Sequence, residues 1–235
     1  MGQLTSIEAE FAARVAGLGA RPTDRQIARA AAAMLLMGAP PADAYQQQGQ
    51  QIAYRIGGHI RERAAELTDD AGMRAAIRET GESAARQAET LAHTGVTTAA
   101  ETGRAAAYDA NDIEWVRWAA ILDSRTSAGC ALRHNRLYRW PQLTPVGHGI
   151  QIEKAPPRHP NCRSTLVPAM PSDDITETPR EAFDRWLDSL APDEVARTMG
   201  VGRLELFREG KITLRDLIGQ GGKTLTLEEL RERTR

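Results

Sequence analysis

Apolar residues recur at helical spacing through the first 110 residues and predict four helices. The first begins after Asp24 and carries Ile27, Ala31, Met34 and Leu35 on one face, ending at Gly38 and Pro40. The second begins near Pro41, with a stripe made of Ile52, Ile56, Ile60, Ala64 and Leu67. The third begins at Thr68 or Asp69, and the fourth covers residues 97–110. Large side chains are scarce on these faces. One interpretation is a modest helical bundle that is stable alone. We favour the other, a helical arm that needs a surface on another protein.

The pattern changes after residue 111. Residues 115–122 are aromatic and β-prone and predict a strand, followed by a short helix with Cys130 and His134. Further short strands are expected at 137–140, 150–152 and 163–167. Helical spacing returns with an N-cap at Thr178, and the last charged helix, from residue 227, is expected to be frayed or partner-bound. The prediction is an α+β protein with a helical region at 1–111, a small β-containing domain at 112–170 and a helical tail at 171–235.

Two short motifs of the small domain contain both cysteines of the chain. Cys130 and His134 are four residues apart, so they share one face of a helix. His159 and Cys162 are three apart in a proline-bounded loop. Two ligands from a helix and two from a loop match a closed Cys2His2 zinc site, so we predict a structural zinc, with His148 as a spare ligand. A disulfide and two unlinked buried thiols stay open as alternatives.

An Asp-x-Arg-Thr motif precedes the first cysteine. Asp123, Arg125 and Thr126 are residues that form turns and helix caps, and the carboxylate can accept backbone N–H groups while it pairs with Arg125. We interpret the motif as a structural turn ahead of the short helix. A catalytic Asp–Arg pair is the alternative.

These motifs together resemble the phage Mu F-like family. The shared features are a tryptophan-rich strand, Asp-x-Arg-Thr, Cys-x3-His and Pro-Pro-x-His-Pro-x-Cys-Arg. Members are minor head, or head morphogenesis, proteins of tailed bacteriophages and prophages. Members often have cysteines where this chain has Ser127 and Ser164, and many have glycine where it has Asn135. Asparagine tolerates the left-handed conformation, so we expect the turn after the short helix to persist.

The resemblance implies a protein of the virion head, present in the host bacterial cytoplasm during assembly. It implies binding to the portal or the major capsid protein, and contact with packaged DNA, during procapsid assembly and genome packaging or delivery. Two enzyme classes are alternatives. An ADP-ribosyltransferase could begin its site at residues 125–127, and a metal-dependent nuclease could use His134, His148 and His159. No catalytic residue is assigned, and the polar residues favour a binding role.

Charge is distributed unevenly along the chain. The formal net charge is −1, and no apolar run approaches the roughly 20 residues of a membrane span. Between residues 115 and 170, eight basic residues stand against two acidic ones, whereas residues 172–194 hold eight acidic and two basic ones. The two segments can neutralise each other. The sharper hypothesis is a basic surface for DNA or a protein partner, with Arg133, Arg136, Arg139, Arg158 and Arg163 as its contacts.

Overall fold

The computed structural model describes residues 17–36, 38–65, 70–170, 179–213, 215–219 and 223–234. Helix α1 (Asp24–Ala32) begins at Thr23, whose hydroxyl accepts from the Gln26 amide while the Gln26 side chain accepts from the Thr23 amide. This capping box satisfies two backbone donors at the helix start. Ile27 and Met34 are buried as predicted, but Leu35 is 56% exposed.

Helices α2 (Pro41–Ala65) and α3 (Asp70–Ala110) pack against each other, and α1 packs on α3. The prediction of two helices within 70–110 was wrong, because α3 is one helix of 41 residues, about 60 Å long. The segment contains no proline, and Gly95 costs only about 1 kcal/mol relative to alanine. Gly95 is buried, so tertiary packing offsets that cost.

Four short strands form an antiparallel sheet in the order β3-β2-β1-β4. They are β1 (Trp115–Ala119), β2 (Leu137–Arg139), β3 (Thr144–Pro145) and β4 (Thr165–Pro168). Val116 and Trp118 of β1 are fully buried and lie opposite Tyr138 and Leu166. Strand β3 was missed, and the strand expected at 150–152 does not form. There the Gln151 carbonyl accepts from the Arg133 guanidinium instead of from a neighbouring strand.

The outer edge of β4 is covered by α3. The Leu166 amide donates to Oε2 of Glu101 at 3.4 Å, and the Tyr108 hydroxyl donates to the Leu166 carbonyl at 2.7 Å. Both side chains come from the last third of α3, where most of the buried residues of that helix lie. The helix therefore satisfies the backbone groups that a further strand would otherwise pair.

The short helix α4 (Ala128–Arg133) lies between two apolar cores. Cys130 belongs to the core of the sheet, with Trp118 and Tyr138. Ala131 and Leu132 belong to a second core, formed with the C-terminal helices. Those helices are α5 (Pro179–Asp188), α6 (Pro192–Met199), α7 (Val201–Arg208) and α8 (Leu227–Arg233), with a 3-10 turn at Arg215–Leu217.

The predicted cap Thr178 lies outside the described residues. Helix α8 is not frayed, because Leu230 is fully buried in the second core. The mostly helical chain with one small sheet confirms the α+β class. Among the described residues, no helix combines the length and apolarity that crossing a bilayer demands.

Candidate metal centre

Three of the four predicted ligands come together beside the sheet. Cys130 is the third residue of α4, while His159 and Cys162 lie on the loop that leads into β4. The two Sγ atoms are 3.9 Å apart, and Nε2 of His159 is 3.3 Å from Sγ of Cys130. Both cysteines are buried and His159 is half-buried. Among the described residues, this is the group of three metal-ligating side chains whose donor atoms all lie within 4.8 Å of one another.

These distances fit a tetrahedral zinc ion. With Zn–S bonds of about 2.3 Å and Zn–N bonds of about 2.0 Å, two sulfurs lie about 3.8 Å apart and a sulfur and a nitrogen about 3.5 Å apart. The observed separations of 3.9 and 3.3 Å are close to both values. An S–S bond would need about 2.05 Å, so the two thiols are not joined in a disulfide.

The His159 ring is oriented by its neighbour in the chain. The Pro160 carbonyl lies 2.8 Å from Nδ1, and a carbonyl only accepts, so Nδ1 carries the proton and donates. The lone pair of Nε2 then points toward Cys130 and Ser127. A ligating histidine commonly donates its second ring nitrogen to a backbone carbonyl in this way.

The two thiols share a proton unequally. The pKa of Cys162 lies well below its usual range, chiefly because the Cys130 thiol donates to its sulfur. The same hydrogen bond and burial raise the pKa of Cys130. A thiolate is the form of cysteine that binds metal, so the lowered pKa of Cys162 favours metal binding.

His134 does not join this group. Helix α4 ends at Arg133, and His134 is its C-cap with an extended ψ of 135°. The spacing of four therefore does not place it on the same helical face as Cys130. Its Nδ1 instead accepts from the Ala120 amide at 3.1 Å. Asn135 follows with a φ of 61°, which is the left-handed turn that the sequence predicts.

The spare ligand His148 lies elsewhere. Its Nε2 donates to the Leu137 carbonyl at 2.9 Å, and its Nδ1 accepts from the Ile150 amide at 3.2 Å. The ring packs edge-on against Tyr138 with centroids 5.0 Å apart. Burial lowers its pKa, which favours the neutral form that these two bonds require. One nitrogen thus binds the backbone of β2 and the other the backbone at Ile150.

The Asp-x-Arg-Thr segment forms a hydrogen-bonded turn. The Arg125 amide donates to Oδ1 of Asp123 at 2.9 Å, and the Asp123 amide donates to Oγ1 of Thr126 at 3.1 Å. The Thr126 hydroxyl donates to the Ile121 carbonyl. Both terminal nitrogens of Arg163 donate to the Asp123 carboxylate. This pairing holds the pKa of that carboxyl far below its usual range. This pair ties the turn to the residue after Cys162.

Helix α3 contacts the loop that carries His159 and Cys162, a contact that the sequence analysis missed. The Asn161 amide donates to Oγ1 of Thr94 at 3.2 Å, and the Asn161 side chain donates to Thr90 at 3.4 Å. Asn161 has a φ of 56°, a left-handed conformation that asparagine tolerates. The sequence signal for this turn was the asparagine between Pro160 and Cys162. Its partner, sixty-seven residues earlier, was not visible in any spacing.

Comparison with protein families decides the identity. The model of the phage Mu protein F like proteins matches residues 42–167, which is more than half of the chain. The chain belongs to the phage Mu F-like family. This membership makes it a phage head morphogenesis protein. The match runs from α2 through β4 and includes the cluster of Cys130, His159 and Cys162. No curated protein and no solved structure gives a significant match.

The five arginines suggested as DNA or partner contacts do not form one surface in this Mu F-like protein. Arg133 and Arg136 are buried, and the Arg133 guanidinium donates to the carbonyls of Gly129 and Gln151. Arg158 is also buried, 3.8 Å from Glu153. Arg163 pairs with Asp123. Arg139 is the exposed member, with its guanidinium 4.6 Å from the centre of the Trp115 ring.

The residues suggested for enzymatic alternatives are used structurally. A nuclease centre would need His134, His148 and His159 together, but they contact three different parts of the backbone. The Arg-Thr-Ser segment suggested for an ADP-ribosyltransferase lies in the turn, and Ser127 caps α4 by accepting from the Cys130 amide at 3.3 Å.

Proposed function

We propose that this chain is a minor head protein of a tailed phage or prophage. It binds the portal or the major capsid protein during procapsid assembly and genome packaging or delivery, so it resides in the virion head or, during assembly, in the host cytoplasm. The observation that carries this proposal is the family match over residues 42–167.

The helical arm supports a role in binding another head protein. We define the arm as α2 together with residues 70–90 of α3. Among the arm residues whose side chains are described, Thr80 alone is buried. Tyr45, Tyr54 and Ile60 of α2 are 43%, 76% and 42% exposed. A helix pair that buries so little of its surface has apolar area left for a partner.

Incorporation into procapsids tests this function. The chain would be co-produced with the portal and major capsid proteins of the same phage, and its copies per purified procapsid would be counted by mass spectrometry. We expect the parent to be incorporated and Tyr54→Asp to reduce its copies about tenfold, with unchanged thermal stability. Val201→Asp, at an exposed apolar residue on α7, is the matched control. A parent absent from procapsids would overturn the proposal, and normal incorporation of Tyr54→Asp would overturn the role of the arm.

We further propose that Cys130, His159 and Cys162 hold zinc. The ion would clamp the loop before β4 onto α4, and so join the sheet to the core of the C-terminal helices. The geometric fit and the orientation of His159 support the assignment.

Removing a thiolate tests the zinc proposal. Cys162→Ala should abolish zinc binding and destabilise the protein by several kcal/mol, because structural zinc contributes directly to folding. Zinc content would be measured by elemental mass spectrometry and stability by thermal unfolding. A chelator should lower the melting temperature of the parent and leave that of the variant unchanged. If the parent and Cys162→Ala had the same melting temperature, the zinc proposal would be refuted.

A further inference from the structure

The proposed zinc site has three protein ligands, although zinc is almost always four-coordinate in structural sites. The sequence predicted His134 as the fourth ligand. The structure places Nδ1 of His134 at the Ala120 amide, and both nitrogens of His148 at the backbone around β2 and residue 150. Among the described residues, no other histidine, cysteine or carboxylate joins the group.

A narrow cleft reaches the group from outside. It is lined by Ser127, Cys130, His159, Asn161 and Ser164, among others. The space in this cleft that the centre of a water molecule can occupy is about 10 Å³, which is enough for one water. The side of the group that faces this cleft is therefore accessible to one small molecule from solvent.

Ser127 lies on the side of the group that faces this cleft. Its Oγ lies 3.0 Å from Nε2 of His159, close to the separation of about 3.3 Å between two light donors of one tetrahedral zinc ion. A neutral hydroxyl is not among the usual zinc ligands, and this one already accepts from the Cys130 amide. Ser127 thus lines the fourth position without filling it.

We propose that the metal centre is open. Its fourth position lies beside Ser127 at the bottom of the cleft and takes one oxygen donor from solvent. This inference rests on the zinc site proposed above. Two thiolates neutralise the charge of Zn²⁺, so the centre accepts a small neutral or anionic donor. Three protein ligands with one exchangeable position is the arrangement of zinc sites that take part in chemistry, in contrast to the closed site predicted from the sequence.

X-ray absorption at the zinc edge counts the ligands directly and needs no assay of activity. Zinc stoichiometry of the purified full chain is measured first. For the parent we expect two sulfurs at about 2.3 Å and two lighter donors at about 2.0 Å, one of them imidazole. Ser127→Cys should close the site, giving three sulfurs and one imidazole. Ser127→Ala, which also loses the cap hydroxyl, should keep the two sulfurs and the two lighter donors of the parent.

His134→Ala separates the open site from a closed one. We expect its absorption spectrum to match that of the parent. Loss of an imidazole in this variant would make His134 the fourth ligand and overturn the proposal, even if Ser127→Cys does not fold. A folded Ser127→Cys chain whose zinc is bound by only two sulfurs would also overturn the proposal of an open site. Zinc-free parent protein would instead refute the zinc assignment itself, so the two failures are distinguishable.

Discussion

At the scale of single residues, Glu101 is a carboxyl group held where water barely reaches it. Burial raises its pKa to about 7, while the Arg104 guanidinium beside it and the Leu166 amide act in the opposite direction. In the unfolded chain the same group titrates at about 4.5. Ionisation therefore costs more in the folded state, and stability falls as the pH rises from about 4.5 to about 7.

Glu101→Gln should remove this pH dependence. Glutamine keeps an oxygen to accept from Leu166 but never ionises, so the variant gains stability relative to the parent above pH 7, by about 3 kcal/mol at most. Urea unfolding between pH 4.5 and pH 8 measures the difference. Glu82→Gln, at an exposed position on the same helix, should follow the profile of the parent. If the stability of Glu101→Gln fell with pH as steeply as that of the parent, another ionisable group would be responsible for the pH dependence.

Asp123 shows how far a local motif carries a residue-level prediction. The sequence predicted a turn in which the carboxylate accepts backbone amides and pairs with Arg125, and those contacts are present at 2.9 and 3.6 Å. The closer cation is Arg163, forty residues later, which no spacing within the motif indicates. The local hydrogen bonds of Asp123 could be predicted from the sequence. Its ion pair with Arg163 could not, because the two residues become neighbours only in the folded chain.

At the scale of elements, local signals located most helices and strands but misjudged where some end. The strand that begins at residue 115 and the last helix, from residue 227, follow from side-chain patterns that act within a few residues. A separate helix was expected at residues 97–110, but α3 continues through this segment as one helix of 41 residues. The strand expected at 150–152 failed because a buried arginine binds its backbone.

The same contrast between local signals and contacts made by folding explains which of the predicted metal ligands come together. His159 and Cys162 occupy a loop whose geometry depends on its own prolines and on Asn161, so their association could be predicted. The pairing of Cys130 with His134 assumed that α4 continues for one more residue. It ends at Arg133, and one residue of helix decides whether the imidazole faces the thiols.

At the scale of the whole molecule, the C-terminal helices are not a separate tail. Phe183, Val195, Leu206 and Leu230 share one core with Leu132 of α4, so the small domain and the C-terminal helices stabilise each other. A stretch of charged residues around α8 concealed this in the sequence, because a single buried leucine per two turns gives a weak periodic signal.

Leu230→Ala should therefore destabilise the chain by about 2–5 kcal/mol, the usual cost of a cavity in a packed core. Chemical denaturation of the full chain measures it. Glu232→Ala, on the exposed side of the same helix, should change stability little. Equal stability of Leu230→Ala and the parent would mean that α8 contributes nothing to the core.

The contact of α3 with β4 has a consequence for molecules packed at high local concentration, as in a phage head. An uncovered strand is a template on which a neighbouring chain can add its own strand, and such addition can continue into aggregates. Glu101 and Tyr108 occupy the hydrogen-bonding groups of Leu166 that such an intruder would need. Two side chains of one helix thus help keep neighbouring copies of the chain as separate molecules.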